Sequence, residues 1–230
     1  MTHNEARQSD MLKRVQAFGA AHAAAFPKGS VGAQKIAEIN AAVPQLKAFG
    51  AQQVSGAGVA KSGTSTKAGA FAALHAQLDA ISGNAHALAA LGTNGLEAKF
   101  RMPRSGGKQA LLNAARAFAQ DVLPLKKLFL GLNMPADFLD TLEASIAECE
   151  AAFHLQAAGV SQKGTATVSL KDTFHTALVA VNVLDRIVRN TFRDAPATLA
   201  EWTIATHVPH ATKPAKAAPP APSPSSVKAP

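Results

Sequence analysis

Four cations, Lys99, Arg101, Arg104 and Lys108, surround the turn Ser105-Gly106-Gly107, and an apolar helical pattern begins directly after it. Flexible glycine, free N–H groups at a helix start and nearby positive side chains together attract anions. The likeness to a nucleotide phosphate loop is superficial. Gln109 follows the lysine where Ser or Thr is required, and no strand precedes the loop. The stretch reads first as a linker with a helix start and second as an anion site. A second basic set, Arg186, Arg189 and Arg193, is spaced by three and four and forms one stripe of a helix. Together the two sets are candidates for a face that meets nucleic acid, another polyanion or a protein partner. The contact residues expected there are Lys99, Arg101, Arg104, Lys108, Arg186 and Arg189.

Other chemistry-bearing residues are scattered. Asp172 and His175 are three apart, and Glu150 and His154 four apart, but no Glu-x-x-His motif of the kind that builds a di-iron bundle occurs. No metal site or cofactor is expected. Cys149 is the single cysteine, which excludes an intrachain disulfide and a cysteine zinc cluster, and it falls on an apolar stripe as a small buried hydrophobe. No nucleophile motif or dinucleotide glycine fingerprint appears, so no catalytic residue is assigned.

The elements that must position these residues are helices. Ala dominates, Tyr is absent and Trp occurs once, a mix that favours helix over strand. Apolar residues recur at three- and four-residue steps in six segments, near 11–26, 36–46, 71–88, 111–129, 138–153 and 170–192. Pro27-Lys28-Gly29 and the run from Gly131 to Pro135 separate elements, while Pro44 and Pro124 should each kink a helix or end it. A short helix from Ala197 to Thr206 should bring Trp202 back onto the body.

The chain also repeats itself. Gly58-Val59 and Gly63-Thr64-Ser65-Thr66 match Gly159-Val160 and Gly164-Thr165-Ala166-Thr167 at an offset of 101. Leu12 and Ala17-Phe18 match Leu112 and Ala117-Phe118 at 100, and Leu78-Asp79 matches Leu184-Asp185 at 106. Matches in the same order point to two copies of a three-helix unit, near 8–98 and 108–193, sharing one core as a six-helix bundle. The glycine-threonine segments read as turns in which Thr66 and Thr167 cap the next helix. Paired threonines lining a pocket between the copies are the functional alternative.

Length and charge set the limits. The 230 residues carry a formal charge of +8, three of it from lysines in the Pro/Ala/Lys/Ser tail 207–230, which lacks the apolar residues of a core and should be disordered. The polar start 1–7 reads as flexible and without a signal peptide, and no apolar run reaches a bilayer span. A cytoplasmic protein with no membrane contact is expected, and a homo-oligomer is compatible with the composition.

One resemblance is specific. The runs Lys99-Phe100-Arg101-Met102-Pro103-Arg104-Ser105 and Pro135-Ala136-Asp137-Phe138-Leu139, with Leu184-Asp185-Arg186-Ile187-Val188-Arg189-Asn190-Thr191-Phe192-Arg193 ahead of a Trp-bearing helix, resemble a group of uncharacterised bacterial all-helical proteins. The resemblance implies a helical body and no activity. The reading is an all-α, internally duplicated helical bundle that binds or scaffolds without catalysis. A small-ligand or metal-binding bundle, enzymatic or not, with a pocket between the repeats is the alternative.

Overall fold

The computed structural model describes residues 1–209; of the tail 207–230, read above as disordered, residues 210–230 lie outside the described residues. The fold is all-α, and no strand occurs among the described residues. Its elements are α1 (His3–Ala21), α2 (Val31–Ala90), α3 (Leu96–Lys99), α4 (Gly107–Val122), α5 (Lys126–Gly131), α6 (Phe138–Thr191) and α7 (Pro196–Thr206), with single 3-10 turns at Ala23–Ala25 and Leu123–Leu125.

Two elements dominate. α2 has 60 residues and α6 has 54, so they extend about 90 and 80 Å. They pair antiparallel, with Gly32 beside Ile187 and Gly63 beside Gln156. Inward residues follow a three-four alternation, the pattern that winds two helices around each other. Each end of the pair is thickened into its own core. α1 and α7 cover one end, in a cluster that includes Leu12, Phe18, Leu46, Leu184 and Trp202. α3, α4 and α5 cover the other, in a cluster that includes Leu78, Phe100, Phe118, Phe129 and Leu142. Between the ends the pair runs alone as a waist.

Several boundaries differ from the periodicity reading. Segments two and three are one helix, α2, and segments five and six are one helix, α6. The glycine-threonine segments lie inside these helices, so Thr66 and Thr167 cap nothing. Pro44 sits within α2. It removes one N–H donor, but Ala42 and Leu46 on either side are buried in the end core, and that packing outweighs one lost backbone bond. Pro124 behaves as expected: α4 stops at Val122 and a 3-10 turn follows. The first helix starts at His3, not residue 8. Thr2 accepts from the Glu5 amide at 3.2 Å and Glu5 accepts from the Thr2 amide, a capping box.

The waist explains the glycines. A Cβ on Gly159 would lie 2.3 Å from the Ala60 nitrogen, and one on Gly56 2.6 Å from the Lys163 nitrogen. Backbone therefore meets backbone, at the short end of helix–helix separations. The two contacts mirror each other, Gly56 with Gly159 and Ala60 with Lys163, at an offset of 103. Hydrogen bonds repeat the same relation. Gln53 donates to Thr167 and Gln156 donates to Thr64, each at 2.9 Å. Buried residues match along both helices at that offset: Ile39 with Leu142, Leu46 with Cys149, Phe71 with Phe174, Ile81 with Leu184. The structural correspondence in the long helices is thus 103, two residues away from the strongest sequence match.

α1 and α4 occupy the same groove of the pair, from opposite ends, and both point their N-termini at the waist. Met1 lies beside Gly50 and Gln53 while Gly19 packs on Ile36; Lys108 lies over Phe71. The stripe beneath them on α2 recurs every seven residues as Ile36, Val43, Gly50, Ala57, Thr64, Phe71, Leu78 and Ala85. α1 covers one end of it and α4 the other. Thr64 is exposed and Ala57 half-buried, because neither helix reaches them.

Candidate functional site

The basic junction forms where α4 begins. Gly106 (φ 104°) and Gly107 (φ 65°) adopt left-handed backbone, which a side chain would strain, and they turn the chain into α4. Gly106 is the N-cap and no side chain caps this helix. The first turn holds no acid. An open groove of about 450 Å³ lies against this start, lined by Phe71, His75, Arg104, Ser105, Lys108 and Leu111 among others.

The predicted cations fare differently. Lys99 pairs with Asp121 at 3.1 Å and is already neutralised. Arg101 and Arg104 are exposed, and among the described residues no acid pairs with them or with Lys108. Lys108 Nζ sits 5.3 Å from the Phe71 ring centre. A cation that the sequence reading missed joins from α2: Lys67 Nζ lies 4.4 Å from the Phe153 ring and donates to Gln156 Oε1 at 2.6 Å. Phe71 and Phe153 meet edge to face at 5.5 Å, so Lys67 and Lys108 flank one aromatic pair. The four-residue step from Lys67 to Phe71 was the available signal. His75 is tied to Asp79 at 2.7 Å on its own helix.

Arg186 and Arg189 belong to the opposite end. Ile187 packs beside Gly32 of α2, whereas the junction groove touches Ala72. These positions are 40 residues of helix apart, about 60 Å. One face joining the two sets does not form. Arg189 instead donates to Asp185 at 2.9 Å, and the other Asp185 oxygen accepts the Trp202 indole N–H at 2.9 Å. Arg14 of α1 donates to the Ala205 carbonyl at 3.3 Å and to that of His207, neutralising the negative end of α7. The Leu-Asp-x-Ile-Val-Arg stretch and the tryptophan helix after it therefore form one clamp. Arg186 remains exposed beside it.

Shifted ionisations mark structure, not reactivity. The Arg189 hydrogen bond leads in holding the Asp185 carboxyl below its ordinary value; burial opposes it and Trp202 adds to it. Asp185 in turn raises Arg189. Burial, then Glu148, pushes the Cys149 thiol up. None of the three lines the basic groove, so the usual link between perturbed groups and an active site does not point there. Where a pocket between the two halves was the alternative, the glycine contacts bring backbone against backbone. Thr64 and Thr167 are engaged by Gln156 and Gln53. Among the described residues no three His, Cys, Asp or Glu gather as metal ligands, and no helix is long and apolar enough to cross a membrane. Neither the family models, nor the curated proteins, nor the solved structures contain a match to this chain, so the reading of the site rests on its geometry.

Proposed function

We propose that the protein is a non-enzymatic binding rod that recruits an anionic partner to the junction of α2 and α4, with Lys67, Arg101, Arg104 and Lys108 as the contact set. The observation that supports this is the unneutralised charge there. Lys99, Arg116 and Arg189 all have acidic partners, while Arg101, Arg104 and Lys108 have none among the described residues and stand at an uncapped helix start. Two rigid end cores held far apart by a long helical pair suit a scaffold, because a partner held at one end leaves the other free. The reading includes two copies of one hairpin unit, which the offset of 103 supports, and a cytoplasmic location, which rests on sequence alone.

Fluorescence anisotropy with labelled poly-glutamate and a labelled single-stranded oligonucleotide tests it. Binding should weaken steeply with salt, and R104A/K108A should lower the salt slope by about 2. R186A should leave it unchanged. Absence of binding to both probes at low salt refutes the reading.

A further inference from the structure

We infer that the uncovered waist between α1 and α4 is a docking slot for an acidic amphipathic helix of a partner protein, an inference that rests on the anionic partner proposed above. The seven-residue stripe of α2 is half-buried under α1 at one end, as Ile36 and Val43, and buried under α4 at the other, as Phe71, Leu78 and Ala85, and neither helix covers it across the waist. Ala57 and Thr64 from α2 form the floor with Val160 and Thr167 from α6; Val160 is 58% exposed. The opening runs from Gln53, which meets the Met1 amino group, to Phe71, beside Lys108. That is 18 residues of helix, about 27 Å, room for about five turns in line with α1 and α4.

Charge selects the occupant. α2 carries no acid between Glu38 and Asp79, and α6 none between Glu150 and Asp172, while Lys61, Lys67 and Lys163 lie in the waist. A second copy would set these lysines against themselves. The chain's own segment 207–230 holds three lysines and no acid. An anionic partner alone is complementary. A helix, about 10 Å across, fits a narrow floor closed at both ends by helices, and a nucleic-acid duplex is too wide for it. The slot also has a direction. α1's start is self-capped by Thr2 and Glu5, whereas α4's start is uncapped and flanked by Lys67, Arg104 and Lys108. Carboxylates should cluster at the end of the partner helix that faces α4.

The test uses a labelled peptide of about five turns with Leu and Ala on one face and Glu elsewhere, and a scrambled peptide of the same composition. The full chain should bind the amphipathic peptide at least about tenfold tighter, with a gain in helicity, because only that peptide presents an apolar stripe. The neutral, helix-favouring double variant A57Q/V160Q should abolish the preference. Equal binding of both peptides, unaffected by A57Q/V160Q but lost in R104A/K108A, overturns the slot and leaves the basic junction intact. No binding of either peptide at low salt overturns both. Oligonucleotide binding that A57Q/V160Q weakens, or a dimer that this variant dissociates in sedimentation, also overturns the helix as occupant.

Discussion

An alanine at position 159 would put its methyl carbon 2.3 Å from the Ala60 nitrogen and 2.9 Å from the Gly56 oxygen. Neither neighbour is a side chain that can swing away. Reaching an ordinary contact of 3.4 Å requires the two long helices to part by about 1 Å across the waist. Overpacking of that kind costs about 2 kcal/mol, and the better helix propensity of alanine returns about 1 kcal/mol. G159A should therefore destabilise by about 1 kcal/mol. G56A, whose Cβ meets the Lys163 nitrogen at 2.6 Å, should behave alike. The two are mirror contacts across one crossing, so a single separation relieves both. The double variant should cost about 0 kcal/mol, a coupling of about 2 kcal/mol away from additivity. Gly58 has open space where its Cβ would lie, and G58A should stabilise by about 1 kcal/mol. Gly58 and Gly159 are the pair that the sequence repeat aligns, which makes their opposite signs a sharp test. Urea unfolding followed by helical circular dichroism measures each value. If G159A stabilises as G58A does, the helices do not touch at the waist and the slot geometry falls with it; an additive double variant refutes the single shared separation.

Further outcomes follow from the end cores. Trp202 is the only tryptophan and is 1% exposed, so its emission reports on the α7 clamp. The Asp185 carboxyl is held below its ordinary 3.8 in the fold. Its contribution is present above that value and lost as pH falls through the lowered one, so the emission should shift red only below about pH 4. D185A should show that shift at neutral pH and lose about 1–3 kcal/mol by leaving the indole N–H without its acceptor; unchanged emission refutes the clamp. Cys149 is fully buried with its thiol pushed up, so a thiol reagent at neutral pH should label it only as fast as the chain unfolds. L142A should destabilise by about 2–5 kcal/mol, since Leu142 is fully buried in the α3–α5 end core. A loss under about 1 kcal/mol would place it elsewhere.

Helical class was legible because Ala abundance and three-four spacing are local properties. So were the breaks near Pro27, Pro124 and Pro135, the burial of Cys149, and the return of Trp202 to the body. The Gly58–Thr66 and Gly159–Thr167 segments misled for the same reason. Gly, Ser and Thr are poor helix formers in isolation, and α2 holds seven glycines. Only the neighbouring helix, more than ninety residues away in sequence, supplies the contact that keeps them helical.

The sequence by itself determined that this chain is helical, that a short tryptophan-bearing helix closes its body, and that a cationic turn opens α4. Residue type and period decide those things within a few turns. Tertiary structure alone decided that segments 36–46 and 71–88 lie in one helix, that segments 138–153 and 170–192 lie in another, that contacts across the pair recur at an offset of 103 and not 101, and that the two basic sets lie about 60 Å apart. Each of these depends on which residues face each other across an antiparallel pair. That pairing brings Lys67 to Lys108 and ties Asp185 to Trp202, and it leaves Val160 exposed between two helix starts.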